Sequence, residues 1–134
     1  MATITTQVAR KYKDLDLLFN VHPVRKDINR HTDEIAVINS VKNLILTKHY
    51  ERPFQPEIGS NVTKLLFENL DTITAATLER EIMQTIQNYE PRATVYRTSV
   101  IPDYDKNGFT VDMEFLINNQ TQPVQITFFL ERVR

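Results

Sequence analysis

The spacing of apolar residues changes once along this 134-residue chain, near Ala93, and the change limits the fold more than any other feature. Before Ala93, apolar side chains recur every three or four residues, which is the spacing of an amphipathic helix. After it they occupy every second position, the spacing of a half-buried strand, as in Phe109, Val111, Met113, Phe115 and Ile117. An α+β fold with helices first and an antiparallel sheet after them is therefore predicted.

The first predicted helix begins at Thr32, whose side chain can cap it, and ends near Lys48-His49. Its apolar residues share the helical spacing and are Ile35, Ile38, Val41, Leu44 and Ile45. Residues 1–30 are predicted to form an extended N-terminal segment that docks on the domain. Residues 50–59 contain two prolines and a glycine, which exclude a continuous helix or a central strand. An ordered loop is predicted there.

Two further helices are predicted between this loop and Pro91. Ser60 or Asn61 can cap a short helix, whose apolar residues are Leu65, Leu66 and Phe67. Thr74 is predicted to open a longer helix, whose apolar stripe consists of Leu78, Ile82, Ile86 and Tyr89. Pro91 is expected to end it, because proline cannot continue a helical hydrogen-bond pattern.

A three-stranded antiparallel meander is predicted after the helices, so that residues 1–134 form a single domain. Its strands are Thr94 to Ile101, Phe109 to Ile117 and Val124 to Leu130. Asn107-Gly108 is expected to supply the positive φ of the first hairpin turn. The last strand has no proline or bulge signal, and Leu116 and Phe129 lie on otherwise polar strand faces. This strand is predicted to offer an open edge to another chain.

Charge and residue usage exclude several classes of function. The net charge of −1 argues against a nucleic-acid binder, which must neutralise many phosphates. The chain has no cysteine, and only two glycines, so neither a thiolate metal site nor a phosphate-cradling loop is available. No apolar run approaches the roughly 20 residues that span a bilayer. We expect no metal, cofactor, nucleic-acid partner or membrane contact.

Catalysis has one weak candidate in this sequence. Glu51 and Glu57 could serve as the acid and the base or nucleophile of a glycoside hydrolase such as a lysozyme. A chain with seventeen acidic residues offers many such pairs, however, and no Ser nucleophile has a Gly-x-Ser-x-Gly elbow. The sequence therefore predicts a protein that is not an enzyme, with the lysozyme as the alternative.

Several motifs, in order and at fixed spacing, resemble the GPW-type baseplate wedge family. They are Leu17-x-Phe19-x-x-His22-Pro23, Glu51-Arg52-Pro53-Phe54-x-Pro56-Glu57-x-Gly59, Leu65-Leu66-Phe67-Glu68-Asn69 and Tyr89-Glu90-Pro91-Arg92. The family includes the sheath initiators of contractile phage tails and the TssE component of type VI secretion. One departure is Tyr50, where many members of the family have glycine.

The resemblance implies a structural subunit of the virion tail baseplate, assembled in the host cytoplasm with one copy per wedge of a six-fold structure. It implies that Glu90, Pro91 and Arg92 contact the helical core bundle of larger wedge proteins. The C-terminal strand, at Gln125, Thr127 and Phe129, would accept strands of the tail sheath protein. Glu51, Arg52, Pro53 and Gly59 form the motif loop. An internal salt bridge between Glu90 and Arg92, tying helix to sheet, is the alternative role for that pair.

Overall fold

A computed structural model describes residues 12–16, 19–28, 30–118 and 120–132. Its first elements are the short strands β1 (Lys13–Leu15) and β2 (Arg30–Thr32), which pair with each other antiparallel. Three helices follow, α1 (Glu34–Leu46), α2 (Val62–Leu65) and α3 (Thr72–Tyr89). The strands β3 (Ala93–Asp103), β4 (Gly108–Ile117) and β5 (Val124–Glu131) form a three-stranded antiparallel sheet in the order β3-β4-β5. The predicted mixed fold with an antiparallel meander is confirmed.

The start of α1 differs from the prediction. Thr32 belongs to β2, and the residue before the helix is Asp33, whose side chain caps no helical N–H. Instead, the Asp33 carboxylate accepts a hydrogen bond from the Tyr12 N–H at 3.2 Å, and the Asp33 N–H donates to the Tyr12 carbonyl at 2.8 Å. Asp33 therefore fixes the N-terminal segment to the helix. Ile35, which shares the helical spacing with the other predicted apolar residues, is exposed, because α1 buries a face centred on Val37, Val41 and Ile45.

The start of α3 also lies upstream of its predicted residue. The capping residue is Asp71, whose carboxylate accepts a hydrogen bond from the Thr74 N–H at 2.7 Å. Hydrogen bonds from the Thr74 backbone and side chain lower the pKa of Asp71 below its usual value. Thr74 is thus the donor in the first turn and is itself buried. Phe67, one of the apolar residues assigned to the short helix, lies beyond the end of α2 and is exposed, whereas Leu66, directly after α2, is buried.

The inner face of the sheet packs against the helices to form one core. The predicted stripe of α3 is confirmed at Leu78, Ile82 and Ile86, which are fully buried. Every second residue of β4 faces these helices, and all five predicted positions are buried, namely Phe109, Val111, Met113, Phe115 and Ile117. In the described part of the chain, no helix is long and apolar enough to cross a bilayer.

The turn between β3 and β4 corrects the predicted role of Gly108. Only Asn107 has a positive φ, of 52°, whereas Gly108 is the first residue of β4. A Cβ atom on Gly108 would overlap the Phe129 ring and the Leu130 carbonyl of β5. Glycine is therefore required because β5 approaches so closely, and not because of the turn conformation.

Candidate interaction surfaces

The motif loop, residues 50–59, has no helix or strand but is firmly held at its base. The Glu51 carboxylate accepts a hydrogen bond from the Lys48 N–H at 2.9 Å, and the Tyr50 N–H donates to the Pro56 carbonyl at 2.9 Å. Gly59 lies against the backbone of Lys48 and His49, since a Cβ atom on Gly59 would come within 2.6 Å of the His49 backbone nitrogen. Any larger residue would push the loop off the end of α1.

Two aromatic residues of this loop combine backbone strain with exposure. Tyr50 and Phe54 both have a φ of 69°, in the left-handed region that residues other than glycine seldom occupy. Their side chains are 85% and 101% exposed. Tyr50 is the position where many members of the resembled family have glycine, and its φ explains why glycine suits that turn.

Glu51 and Glu57, the two carboxylates of the alternative hydrolase, both lie on the surface of the motif loop. Both side chains are exposed on the loop, and the carboxylate of Glu51 serves the Lys48 N–H. Glu57 contributes its backbone carbonyl, which accepts a hydrogen bond from the Tyr89 hydroxyl at 2.7 Å. The loop is thereby fixed to the end of α3. Within residues 12–16, 19–28, 30–118 and 120–132, no group of three or more His, Cys, Asp or Glu side chains could hold a metal ion.

Glu90 and Arg92 form an internal ion pair at the end of α3. Arg92 donates to Glu90 through Nε at 2.6 Å and through Nη2 at 2.8 Å, which is the two-pronged geometry of a strong pair. The Ser40 hydroxyl of α1 donates to the same carboxylate. The Glu90 side chain is only 4% exposed, and that of Arg92 is 26% exposed. The internal salt bridge that the sequence left open is therefore present.

Burial and hydrogen bonding act in opposite directions on Glu90. Removal from water alone would raise the pKa of its carboxyl group, but the hydrogen bonds from Arg92 and Ser40 and the charge of Arg92 outweigh this. The resulting pKa lies below the ordinary value of 4.5. Glu90 is therefore ionised at neutral pH, and both of its oxygens are satisfied within the chain.

Residues from distant parts of the chain hold the Glu90-Pro91-Arg92 turn. Asn118, just after β4, donates through its side chain to the Pro91 carbonyl at 2.8 Å and through its backbone to the Arg92 carbonyl at 3.0 Å. The Arg92 guanidinium lies 5.3 Å from the centre of the Tyr12 ring, within cation–π range. Pro91 is exposed. These contacts leave Pro91 and one side of Arg92 on the surface.

β5 is an edge strand in the described part of the chain, where its only strand neighbour is β4. The Arg132 N–H donates to the Asn107 carbonyl at 3.1 Å, which fixes the phase of the hydrogen bonds between β4 and β5. In an antiparallel pair, alternate residues direct both backbone groups at the neighbour. By this alternation Gln125, Thr127 and Phe129 direct their N–H and C=O groups away from β4, toward the open side.

The side chains of these β5 residues lie on the outer face of the sheet. Gln125 is exposed, and the Thr127 hydroxyl donates to the Asp112 carboxylate of β4 at 2.6 Å. The Phe129 ring lies over Gly108 and within 6.0 Å of the Lys106 ammonium group. The side chains of Thr127 and Phe129 are thus occupied within the sheet, whereas their outward backbone groups are not paired with any described strand.

The fold brings two of the three predicted sites together and leaves the third apart. Arg52 of the motif loop and Ser40, the partner of Glu90, line one cleft. β5 is separated from β3, which follows Arg92, by the width of β4. Ser40, Asn118 and Tyr12 were missed by sequence reasoning, because no local pattern distinguishes them from other polar or aromatic residues.

Comparison with known proteins gives the family of this chain. Residues 31–122 match the family model described as baseplate wedge protein gp25. The baseplate wedge protein gp25 of Enterobacteria phage T4 is 32% identical over 118 residues, covering 88% of this chain and 89% of that protein. A match of this length includes the motif loop, the helices, and most of the sheet.

Solved structures share the fold at lower identity. A candidate tail lysozyme from Geobacter sulfurreducens superposes with a TM-score of 0.70 at 18% identity, covering 75% of this chain and 92% of that one. A chain of the anti-feeding prophage baseplate gives 0.63 at 17% identity, covering 92% and 88%, respectively. A chain of the postcontracted pyocin R2 baseplate gives 0.54 at 13% identity, covering 89% and 99%. From the family match and the identity to the phage T4 protein, this chain belongs to the gp25 family of baseplate wedge proteins, which are located in the virion tail baseplate.

Proposed function

We propose that this chain is a structural, non-catalytic subunit that joins the baseplate wedge to the tail sheath. In this proposal one copy sits in each wedge of a six-fold baseplate, contacts larger wedge proteins through the Glu90-Pro91-Arg92 turn, and starts the sheath at β5. The observation that carries the proposal is the regular outer edge of β5, which no strand of the described residues covers. An edge of this kind is completed by a strand from another chain.

Within the proposed wedge contact, the two residues of the internal ion pair, Glu90 and Arg92, have different roles. Glu90 is a positioning residue, because its carboxylate is buried and bound to Ser40 and Arg92. Arg92 makes no hydrogen bond from Nη1 to any described residue, so this nitrogen remains available to a carboxylate or carbonyl group of a partner. Pro91 beside it adds an exposed apolar surface. The proposed wedge contact therefore consists of Pro91 and Arg92.

Proline substitutions test the sheath contact. Gln125→Pro, Thr127→Pro and Phe129→Pro each remove one outward N–H, which the fold does not use, so at least Gln125→Pro is expected to fold normally. We expect these proteins to enter baseplates that then carry no sheath, as seen by electron microscopy. Only variants that melt near the wild-type temperature are assessed. Full-length sheath on baseplates built with every stable proline variant would overturn the sheath contact.

The alternative hydrolase function has the name of the Geobacter sulfurreducens protein as its support. Similarity of fold at 18% identity does not transfer an activity, and the exposed positions of Glu51 and Glu57 provide no enclosed cleft. We expect the purified chain to release no fragments from peptidoglycan at any pH between about 4 and 8, the range in which carboxylate pairs work. Turnover that disappears in Glu51→Gln or Glu57→Gln would favour the lysozyme instead.

A further inference from the structure

A polar cleft lies between the motif loop and Ser40, the residue of α1 that donates a hydrogen bond to Glu90. It is lined by Asp14 and Leu15 of β1, by Asn39, Ser40 and Asn43 of α1, and by Arg52 of the motif loop. Ser40 is already engaged, because its hydroxyl donates to Glu90. The Asn39 and Asn43 amides and the Arg52 guanidinium form no hydrogen bond or ion pair with any described residue. Three strong hydrogen-bonding groups therefore line one cleft without partners among the described residues.

We propose that this cleft binds an extended segment of another baseplate chain, held by its main chain and by one acidic side chain at Arg52. The inference rests on the proposed structural role in the baseplate and adds a specific partner chemistry to it. It also gives the motif loop a role that the Glu90-Pro91-Arg92 turn and the β5 edge do not supply.

The spacing of the two asparagines selects an extended main chain. Asn39 and Asn43 are four residues apart on α1, so they lie on the same face about 6 Å apart along the helix axis. Successive residues on one side of a strand repeat at about 6.6 Å. Each amide can donate and accept one hydrogen bond, which matches the N–H and C=O of one residue of a strand. β1 is paired only with β2 among the described strands, so its backbone can contribute as well.

The charges of the cleft favour an acidic side chain near Arg52. Asp14 lines the same cleft and its charge acts on Arg92, but it forms no ion pair with Arg52. Arg52 is exposed and has no carboxylate partner among the described residues, so its guanidinium group is available to a carboxylate of an incoming segment. A guanidinium group binds a carboxylate through two parallel hydrogen bonds. Glutamate or aspartate on the incoming segment would supply it.

Incorporation into baseplates tests the inference. Arg52→Ala and the double variant Asn39→Ala/Asn43→Ala should melt like the wild type, because the replaced groups bond to nothing within the described fold. We expect the number of copies per baseplate to fall roughly tenfold or more at limiting protein concentration, as for loss of charge-assisted hydrogen bonds. Arg80→Ala and Asn88→Ala, exposed residues of α3, are matched controls and should incorporate normally. Wild-type incorporation of both cleft variants would overturn the inference.

A photo-crosslinking probe identifies what occupies the cleft. Leu15 lines it and is exposed, so p-benzoylphenylalanine is placed there, with Ile73 on α3 as the control position. In assembled baseplates the Leu15 probe should crosslink to one segment of another baseplate chain carrying Asp or Glu. Crosslinks only to sheath protein, to residues 1–11 of the same chain, or to a helix would refute it. Sheath length on the same particles reports separately on the β5 proposal, so the two can fail independently.

Discussion

The two edges of the sheet differ, although both strands pair with the same central strand. β3 carries an irregularity between Val95 and Arg97, where its register with β4 shifts. It also contains Pro102, which pairs with Phe109; because Phe109 directs its backbone groups at β5, Pro102 lacks an N–H on the open side of β3. β5 has an unbroken register and no proline. The irregularity and the proline disfavour strand addition at β3, and β5 has neither, so we expect a partner strand to add at β5.

The largest expected effect comes from a proline directed at β4. Ile126→Pro removes an N–H that bonds to β4, and the ring disturbs the ladder, so we expect it to lower the free energy of unfolding by about 3 kcal/mol or more. Gln125→Pro, one residue earlier, should lower it by less than about 1 kcal/mol because edge prolines are tolerated. Urea unfolding measures both. Equal losses would show that the assignment of inward and outward groups on β5 is wrong.

The edge strand β3 is attached to the helices through the ion pair between Glu90 and Arg92 just before it. Arg92→Ala leaves the buried Glu90 carboxylate with only Ser40 as a partner, so we expect a loss of about 2–3 kcal/mol in the free energy of unfolding. The figure is below that of a fully buried pair because Arg92 is partly exposed. Arg97→Ala, on the outer face of β3, is the control and should change stability by no more than about 0.5 kcal/mol. An unchanged melting temperature for Arg92→Ala would contradict a stabilising role of the ion pair between Glu90 and Arg92.

The ion pair between Glu90 and Arg92 should stabilise the fold less at acidic pH. A carboxyl group with a lowered pKa stabilises the fold above its unfolded-state pKa, and this contribution is lost as the pH falls through the folded-state value. For Glu90 the loss should therefore begin below pH 4.5. Asp71, whose pKa is also lowered, is present in both proteins, so the stability difference between wild type and Arg92→Ala isolates Glu90. This difference should narrow at acidic pH. A difference in the free energy of unfolding that stays constant from pH 7 to pH 3 would contradict the expected protonation of Glu90.

A smaller change at the contact between β4 and β5 tests how the open edge is held. Gly108→Ala places a methyl group into the Phe129 ring and the Leu130 carbonyl, and we expect a loss of about 1–2 kcal/mol with faster amide exchange in β5. Gly108→Ala combined with Phe129→Ala relieves the ring but leaves the carbonyl overlap. Partial rescue is therefore expected. Complete rescue would mean that the ring alone makes glycine necessary.

The smallest effect is expected at the side chain of Thr127. Thr127→Val removes a solvent-exposed hydrogen bond to Asp112, so the free energy of unfolding should change by less than about 1 kcal/mol. Sheath growth should be unaffected, because the proposed contact uses the backbone of β5. Loss of sheath with this variant would indicate that the partner recognises side chains of β5. The difference between the edges of β3 and β5 would then include side chains as well as backbone N–H and C=O groups.

Local periodicity predicted most of the fold, because burial of one face imposes a repeat on the sequence. The alternation in β4 located its buried residues individually. Periodicity does not show where the covering layer ends, so Ile35 and Phe67 were grouped with the apolar residues of the predicted helices although both are exposed. The three-residue strands β1 and β2 were too short to produce a pattern.

Site prediction was limited by sequence separation. Motifs indicated Arg52, Glu90 and Arg92 because they stand in short runs of distinctive residues. Ser40 lies 50 residues from Glu90, and Asn118 lies 27 residues from Pro91, so their hydrogen bonds follow from the packing of α1 and β4 and not from a local pattern. The open side of β5 was predicted, but the phase of its hydrogen bonds required the register with β4.

The tip of the motif loop has a spectroscopic consequence. The chain contains no tryptophan, and Phe54 is fully exposed on a backbone held at its base. Phe54→Trp therefore introduces the single tryptophan of the chain, in water and without disturbing the core. Its emission maximum would lie at long wavelength in the free protein and would shift to the blue only when another chain covers the tip. Assembly could be followed in real time from this signal, and the stage at which the loop becomes buried would be read directly.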